Sequence, residues 1–293
     1  MLVAVRAAGV NRADLHQRAG NYPAPPGWPA DIPGLEYAGE VAAIGAGVTQ
    51  WNVGDRVMGL VGGGAQAELL VVHELETMPI PTGMPFADAA AIPEAFLTAW
   101  DAIVLRGRAA SGDRVLVHAI GSGVGTAAAQ LGREFALELI GTSRSPEKLE
   151  RCRALGMALG VLSSNSNWPA AIGGPVQVIV DTLGARALEQ NLALLGPRGR
   201  LIVLGTLTGG NAPGINLSLV LRQRLEIIGT AMRVRSFEER IELVARFRRE
   251  VWPMLADGRL KPIVDRTVPM GNIDEAHRAL QANETFGKVV LEW

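Results

Sequence analysis

Residues Arg114 to Gly132 read RVLVHAIGSGVGTAAAQLG: an apolar strand, a turn with glycines at 121, 123 and 125, and a helix that leaves the turn. Such a chain sets the end of a strand against the start of a helix. Backbone N–H groups are bared there, and the helix dipole favours an anion. Gly121, Ser122, Gly123, Val124, Gly125 and Thr126 form the turn. Residue 126 is threonine, so the spacing departs from G-x-G-x-x-G. By itself the turn suits either the pyrophosphate of a dinucleotide or a plain strand–helix connection. Ser122 and Thr126 carry hydroxyls that serve phosphate or cap the helix.

The chain beyond the turn strengthens the dinucleotide reading. LELIGTS (Leu137 to Ser143), VQVIVDTLG, GRLIVLG and RLEIIGT are apolar strands, with helices at SPEKLERCRALG and ALEQNLALLG between them. In the first helix Ser145 caps, Pro146 takes the opening position and Gly156 ends it. Strands apolar throughout, alternating with helices, predict a parallel sheet covered on both faces. A fold of this kind that selects NAD carries an acid about 20 residues beyond the turn, where it holds the ribose hydroxyls. This chain has Gly141-Thr142-Ser143-Arg144-Ser145 there. Ser143, Arg144 and the nearby Lys148 are ordinary surface groups or a site for the 2′-phosphate of NADPH, and the fold favours the second.

Residues 1 to about 95 read as short strands with glycine corners, which suggests a small barrel or partly open β domain. NYPAPPGWPADIPG (Asn21 to Gly34) is too rich in proline and glycine for anything but a surface loop. AAAIPEAFLTAWDAIVLRG, from Ala89, is expected to be one long helix, and SFEERIELVARFRREVWPML, from Ser236, the longest in the chain. The tail reads strand, helix, strand.

Length favours two domains, 293 residues at roughly 150 each. Glycine is in excess, 35 of 293 or about 12% against a usual 7%. A net charge of −1 offers no field for a nucleic acid. A single cysteine, Cys152, excludes an intramolecular disulfide framework and a zinc site of several thiolates. No apolar run is long enough for a membrane span, and the first residues make a poor signal peptide, so a cytoplasmic protein is expected. His16, His73, His118 and His277 are scattered and never at ligand spacing; His118 reads as a packed, hydrogen-bonded imidazole. Without a G-x-S-x-G elbow a hydrolase triad has no anchor.

The stretches GVNRADLHQRAGNYP, PGLEYAGEV, VGDRVMGL, AAAIPEAFLTAW, HAIGSGVGTAAAQ and AHRAL…FGKVVL together resemble the medium-chain dehydrogenase/reductase superfamily over essentially the whole chain. Zinc-bearing members have cysteine where Asn11 stands and histidine where Leu35 stands, and a lobe with four structural cysteines is missing. The resemblance is therefore to the zinc-free branch of ζ-crystallin-like NADPH:quinone oxidoreductases, and most to the tumour-suppressor-inducible subfamily. It implies an α/β fold with a GroES-like catalytic domain from residues 1–95 and 237–293, and a Rossmann NADPH-binding domain from residues 96–236. It also implies that the GroES-like domain lacks its opening strands.

The same resemblance puts Asn11 near the nicotinamide, His16 and Tyr22 along the quinone pocket, and Thr98 under the nicotinamide ring. Gly205 and Thr206 would lie along the cofactor's edge, with Met232 and Arg233 near the pocket. His16 replaces a tyrosine usual in ζ-crystallin-type members, and Ser163 replaces a tyrosine beside the adenosine phosphate. The expected activity is metal-independent hydride transfer from NADPH to a small-molecule quinone. The alternatives are an enoyl or alkenal reductase and a cofactor-binding protein of little turnover. The apolar strand RLEIIGTAM, with the family likeness, predicts a homodimer.

Overall fold

The computed structural model describes residues 1–293. Along the chain run β1 (Leu2–Val10), α1 (Arg12–Arg18), β2 (Glu36–Ala43), β3 (Arg56–Leu60), β4 (Leu69–Val71), β5 (Thr77–Pro79), α2 (Phe86–Ala90) and α3 (Pro93–Trp100). Then come β6 (Arg114–Val117), α4 (Gly123–Glu134), β7 (Glu138–Ser143), α5 (Pro146–Arg153), β8 (Leu159–Leu162), β9 (Val176–Asp181), α6 (Leu188–Leu194), β10 (Leu195–Val203), α7 (Leu217–Gln223) and β11 (Glu226–Gly229). The chain closes with α8 (Phe237–Glu250), α9 (Trp252–Ala256), β12 (Val264–Pro269), α10 (Ile273–Ala282) and β13 (Lys288–Glu292). It divides into two compact units, Met1–Leu97 with Met232–Trp293, and Thr98–Ala231.

The first unit is built on β1. One edge of β1 pairs antiparallel with β2 along its length; the other is shared, Leu2–Ala4 with β4 and Ala7–Val10 with β13. A bulge between Val5 and Ala7 bends the strand where the partner changes. The sheet runs β12-β13-β1-β2-β3-β5, with β4 on β1. Alternation sends Val3, Val5, Tyr37, Val41 and Val57 into one core, while Val289 and Leu291 pack against Ala276 of α10 in another. Each such buried side chain contributes about 1.5–3 kcal/mol relative to exposure.

The second unit is a parallel six-stranded sheet in the order β11-β10-β9-β6-β7-β8. β6 pairs with both β7 and β9, so the strand order reverses at β6/β9, the switch point at which such sheets take ligands. Val115, Leu116, Val117, Val178, Ile179, Leu201 and Ile202 are buried, as strands covered on both faces require. The α/β architecture, GroES-like domain and Rossmann sheet are thus present.

Both long helices expected from the sequence are divided. Pro93 lacks an N–H and opens α3, so α2 stops at Ala90, and the last turns loosen to π geometry over Asp101–Arg106. Pro253 likewise sits in the first turn of α9, after α8 ends at Glu250. Helix α7 has no counterpart among the elements expected from the sequence.

Candidate active site and cofactor site

Asn11 caps α1, and its side chain is engaged at both ends. Lys288 Nζ donates to Asn11 Oδ1 at 2.6 Å, while Asn11 Nδ2 donates to Glu36 Oε1 at 3.0 Å and to the Gly9 carbonyl at 3.3 Å. Lys288 Nζ also lies 2.5 Å from Glu36 Oε1 and 3.0 Å from the Val10 carbonyl. Glu36 Oε2 accepts from the backbone N–H of Glu94 at 2.7 Å. Glu36 is fully buried and Lys288 6% exposed, so this ion pair is dry. Gly9 is obligatory beside it, because a Cβ there would stand 2.2 Å from Glu36 Oε1.

Asp14 braces the same helix from within. Its carboxylate accepts from the N–H of Asn11 (2.7 Å) and of Gly34 (3.1 Å) and from Gln66 Nε2 (3.2 Å). Burial nevertheless pushes its pKa up to about 6. The N–H bond from Gly34 ties the end of the 21–34 loop to α1.

Arg233 holds the other end of that loop. Its guanidinium donates to the carbonyls of Gly62 (2.7 Å) and Tyr22 (3.0 Å) and to Gln17 Oε1 (2.5 Å), and it lies 4.9 Å over the Tyr22 ring. The Tyr22 hydroxyl is kept protonated chiefly by burial, which raises its pKa. His16 is exposed on α1. The structure therefore joins Asn11 to Glu36 and Lys288, and Tyr22 to Arg233. Met232 and Arg233, expected near the pocket, belong to the first unit, where the Arg233 guanidinium binds the Gly62 and Tyr22 carbonyls.

A zinc ion does not fit here. The position where a ligand thiolate would stand is an amide bonded to an ammonium, and Leu35 is a buried aliphatic. No group of three histidine, cysteine, aspartate or glutamate side chains is arranged around a metal position anywhere in the chain. Cys152 donates weakly to the Ile120 carbonyl, and burial pushes its pKa up to about 12, which makes it an inert packing thiol.

In the second unit the glycine turn packs tightly against its own chain at Gly125. A Cβ on Gly125 would meet the Ile120 carbonyl oxygen at 2.3 Å, and one on Gly121 would meet Lys148 Cδ at 2.9 Å. Ser122 caps α4 by accepting from the Gly125 N–H at 3.1 Å, and the Thr126 hydroxyl donates back to the Gly123 carbonyl at 3.0 Å. Both hydroxyls thus serve the helix start, leaving the first-turn amides of Gly123 and Val124 to face an anion.

The strand β7 ends at Ser143, whose hydroxyl accepts from Ser145 N–H, and is followed by exposed Arg144. Lys148 starts within the turn capped by Ser145. Thr98 is buried in α3, and Gly205 and Thr206 lie in the loop after β10. At the end of β9 the buried Thr182 hydroxyl meets no hydrogen-bond partner. A close-packed glycine turn at a switch point, with an orphaned hydroxyl after the neighbouring strand β9, fits a dinucleotide.

A sheet with this turn, and a separate β unit with an occupied polar cluster, define an oxidoreductase of the alcohol dehydrogenase type. Residues 1–82 match the alcohol dehydrogenase GroES-like domain, and residues 123–246 the zinc-binding dehydrogenase family. A quinone oxidoreductase of Pseudomonas aeruginosa is 32% identical over 98% of this chain and 89% of its own. The chain belongs to the medium-chain dehydrogenase/reductase family. The solved quinone oxidoreductase of Pseudomonas syringae superposes over 100% of this chain and 90% of its own, with a TM-score of 0.88 at 28% identity. The solved JamJ enoyl reductase gives a TM-score of 0.87 at 25% identity, covering 99% and 90%. The polyketide synthase GfsB of Streptomyces halstedii is 34% identical over 99% of this chain, which spans only 5% of that protein.

The residues that sequence reasoning missed are Glu36, Lys288, Asp14 and Gln17. A signal existed for two of them. Glu36 is an acid at the head of the apolar run EYAGEVAA, and Lys288 a cation opening the buried KVVL. A charge in such a place needs a partner.

Proposed function

We propose that the protein is a metal-independent, NADPH-dependent quinone reductase. The observation that carries this reading is the Lys288–Asn11–Glu36 cluster, which fills with a fixed ion pair the place where zinc-bearing members keep their metal. The likeness to two quinone oxidoreductases supports the substrate class.

The bound nicotinamide supplies the hydride. The amides of Gly123 and Val124 and the α4 dipole hold the pyrophosphate, and Gly205 and Thr206 border the cofactor. Ser143 and Arg144, with Lys148, take the 2′-phosphate. Asn11 is immobilised by Lys288 and Glu36, so its amide is a fixed polar edge. Tyr22, stacked on Arg233, walls the quinone pocket. A quinone that gains a hydride becomes a hydroquinone monoanion, which needs one further proton. Exposed His16 relays that proton from solvent. No strong acid is needed, because the anion is already a stable leaving state.

A second reading, an enoyl reductase, is favoured by the likeness to the JamJ enzyme and needs a firmer proton donor, a part that the protonated Tyr22 would take. Steady-state kcat/KM with NADPH, for a naphthoquinone against an enoyl thioester, separates the two. The quinone is expected to be the better acceptor, and preference for the thioester overturns the proposal. If NADPH binds and neither acceptor turns over, the protein is a binding module.

A further inference from the structure

Beneath the cofactor crevice lies a buried polar chain that the chemistry above does not use. His118 follows β6 directly, and its N–H donates to the Val180 carbonyl of β9 at 3.1 Å. Its ring spans the switch point: Nδ1 is 2.9 Å from Thr142 Oγ1 at the end of β7, and Nε2 is 2.8 Å from Asn191 Oδ1 on α6. Trp168 packs edge-on against the ring, with centroids 5.4 Å apart. The amide oxygen of Asn191 can only accept, so Nε2 carries the proton and Nδ1 accepts from the Thr142 hydroxyl. Burial holds this imidazole neutral by lowering its pKa.

The chain continues to β9. The Asn191 amide nitrogen is close enough to favour the charge of Asp181, although it falls short of a full hydrogen bond. The Asp181 carboxylate accepts from the N–H groups of Leu183 (2.7 Å) and Gly184 (3.2 Å), which folds the turn after β9 with Gly184 at φ +84°. That turn is laced to the loop after β10. Leu207 N–H donates to the Thr182 carbonyl at 3.2 Å, Thr208 N–H to the Leu183 carbonyl at 2.8 Å, and Ala185 N–H to the Gly209 carbonyl at 2.9 Å. At the opposite end, Ile120 N–H donates to the Thr142 carbonyl at 3.0 Å, which ties the glycine turn to β7. His118, Thr142, Asp181 and Asn191 are all at most 2% exposed.

One side of this chain fixes Thr142 on β7, next to the proposed phosphate-selecting residues Ser143 and Arg144. The other fixes the loops at the ends of β9 and β10, where Gly205 and Thr206 lie. We propose that His118 and Asn191 are positioning residues that couple the two halves of the dinucleotide crevice. When the Asn191 oxygen is lost, the Nε2–H has no acceptor, the imidazole is free to turn, and Thr142 loses the partner that orients it. A change on α6 is thereby felt at the adenosine side. The inference rests on the dinucleotide reading of the crevice.

The test measures dissociation constants, by calorimetry well below the melting temperature, for NADPH and for its two halves, adenosine 2′,5′-bisphosphate and reduced nicotinamide mononucleotide. Asn191→Leu and His118→Leu should weaken both halves by about 2- to 30-fold, the range of a coupling term between linked sites. Thr142→Val, which removes one hydroxyl at constant volume, should weaken them in the same sense, and Thr142→Ser should restore wild-type binding. If the leucine variants fail to fold, the Thr142 pair carries the test with the same outcomes. A lowered melting temperature with wild-type affinity for both halves makes the chain purely structural and overturns the inference. So does weakening of the half nearest each substitution alone. A wild-type protein that binds no dinucleotide at all overturns the cofactor reading instead.

Discussion

The ammonium of Lys288 lies 2.6 Å from the amide oxygen of Asn11 and 2.5 Å from a carboxylate oxygen of Glu36, and none of the three groups is free to turn. Removing one member of a dry ion pair leaves the other buried and uncompensated, at a cost of about 3–5 kcal/mol. Lys288→Met should lose that much stability in urea unfolding. The double variant Lys288→Met/Glu36→Gln should recover most of it. An unchanged single variant contradicts the burial of the pair.

Asp14 makes stability depend on acid pH with an unusual sign. Its folded pKa, about 6, is raised above the ordinary 3.8. The folded protein therefore binds a proton that the unfolded chain has released, and stability falls as pH rises between those values. Relative to Asp14→Asn, the wild type should lose about 2 kcal/mol between pH 4 and 6, out of about 3 kcal/mol over the whole titration. A gap that stays constant across this range shows that Asp14 does not titrate there.

The proposed choice of NADPH rests on the charge after β7, where Arg144 is exposed and residues 141–145 hold no acid. A charge-assisted bond to phosphate contributes about 1.5–3 kcal/mol, so Arg144→Ala should lower kcat/KM for NADPH about 10- to 150-fold. NADH lacks that phosphate and should be little affected. A wild type that prefers NADH refutes the pocket; an unchanged ratio in the variant passes selection to Lys148.

The edge strand β11 and helix α7 present an apolar face: Leu217 is 71% exposed, Leu221 78% and Ile227 43%. A face of this kind on an open sheet edge is a liability for a lone chain. Light scattering should give the mass of a dimer, and Leu217→Glu/Leu221→Glu should give that of a monomer. A monomeric wild type at micromolar concentration contradicts this.

Elements set by local pattern were legible in the sequence. β6, the glycine turn and α4 follow from apolar runs, small residues and a helical period, and the cap at Ser145 stands where its spacing puts it. Contacts set by tertiary closure were not. Lys288 and Asn11 are 277 positions apart, and no periodicity links them. The contacts of Arg233 were hidden for the same reason: it comes after the last Rossmann strand in sequence, and its guanidinium reaches back to Gly62 and Tyr22. The breaks at Pro93 and Pro253 were legible from proline's missing donor, but the apolar stripes that run through both prolines hid them.

Whether hydride transfer needs a metal tests the account most directly. The NADPH-loaded enzyme, dialysed against chelator and checked by elemental analysis, is mixed with a naphthoquinone in a single turnover, and the loss of reduced-nicotinamide absorbance is followed. The arrangement of Asn11, Glu36 and Lys288 predicts full amplitude at a rate unchanged by chelation or by added zinc. A chelated enzyme that is inert and regains its rate with one equivalent of zinc would contradict it.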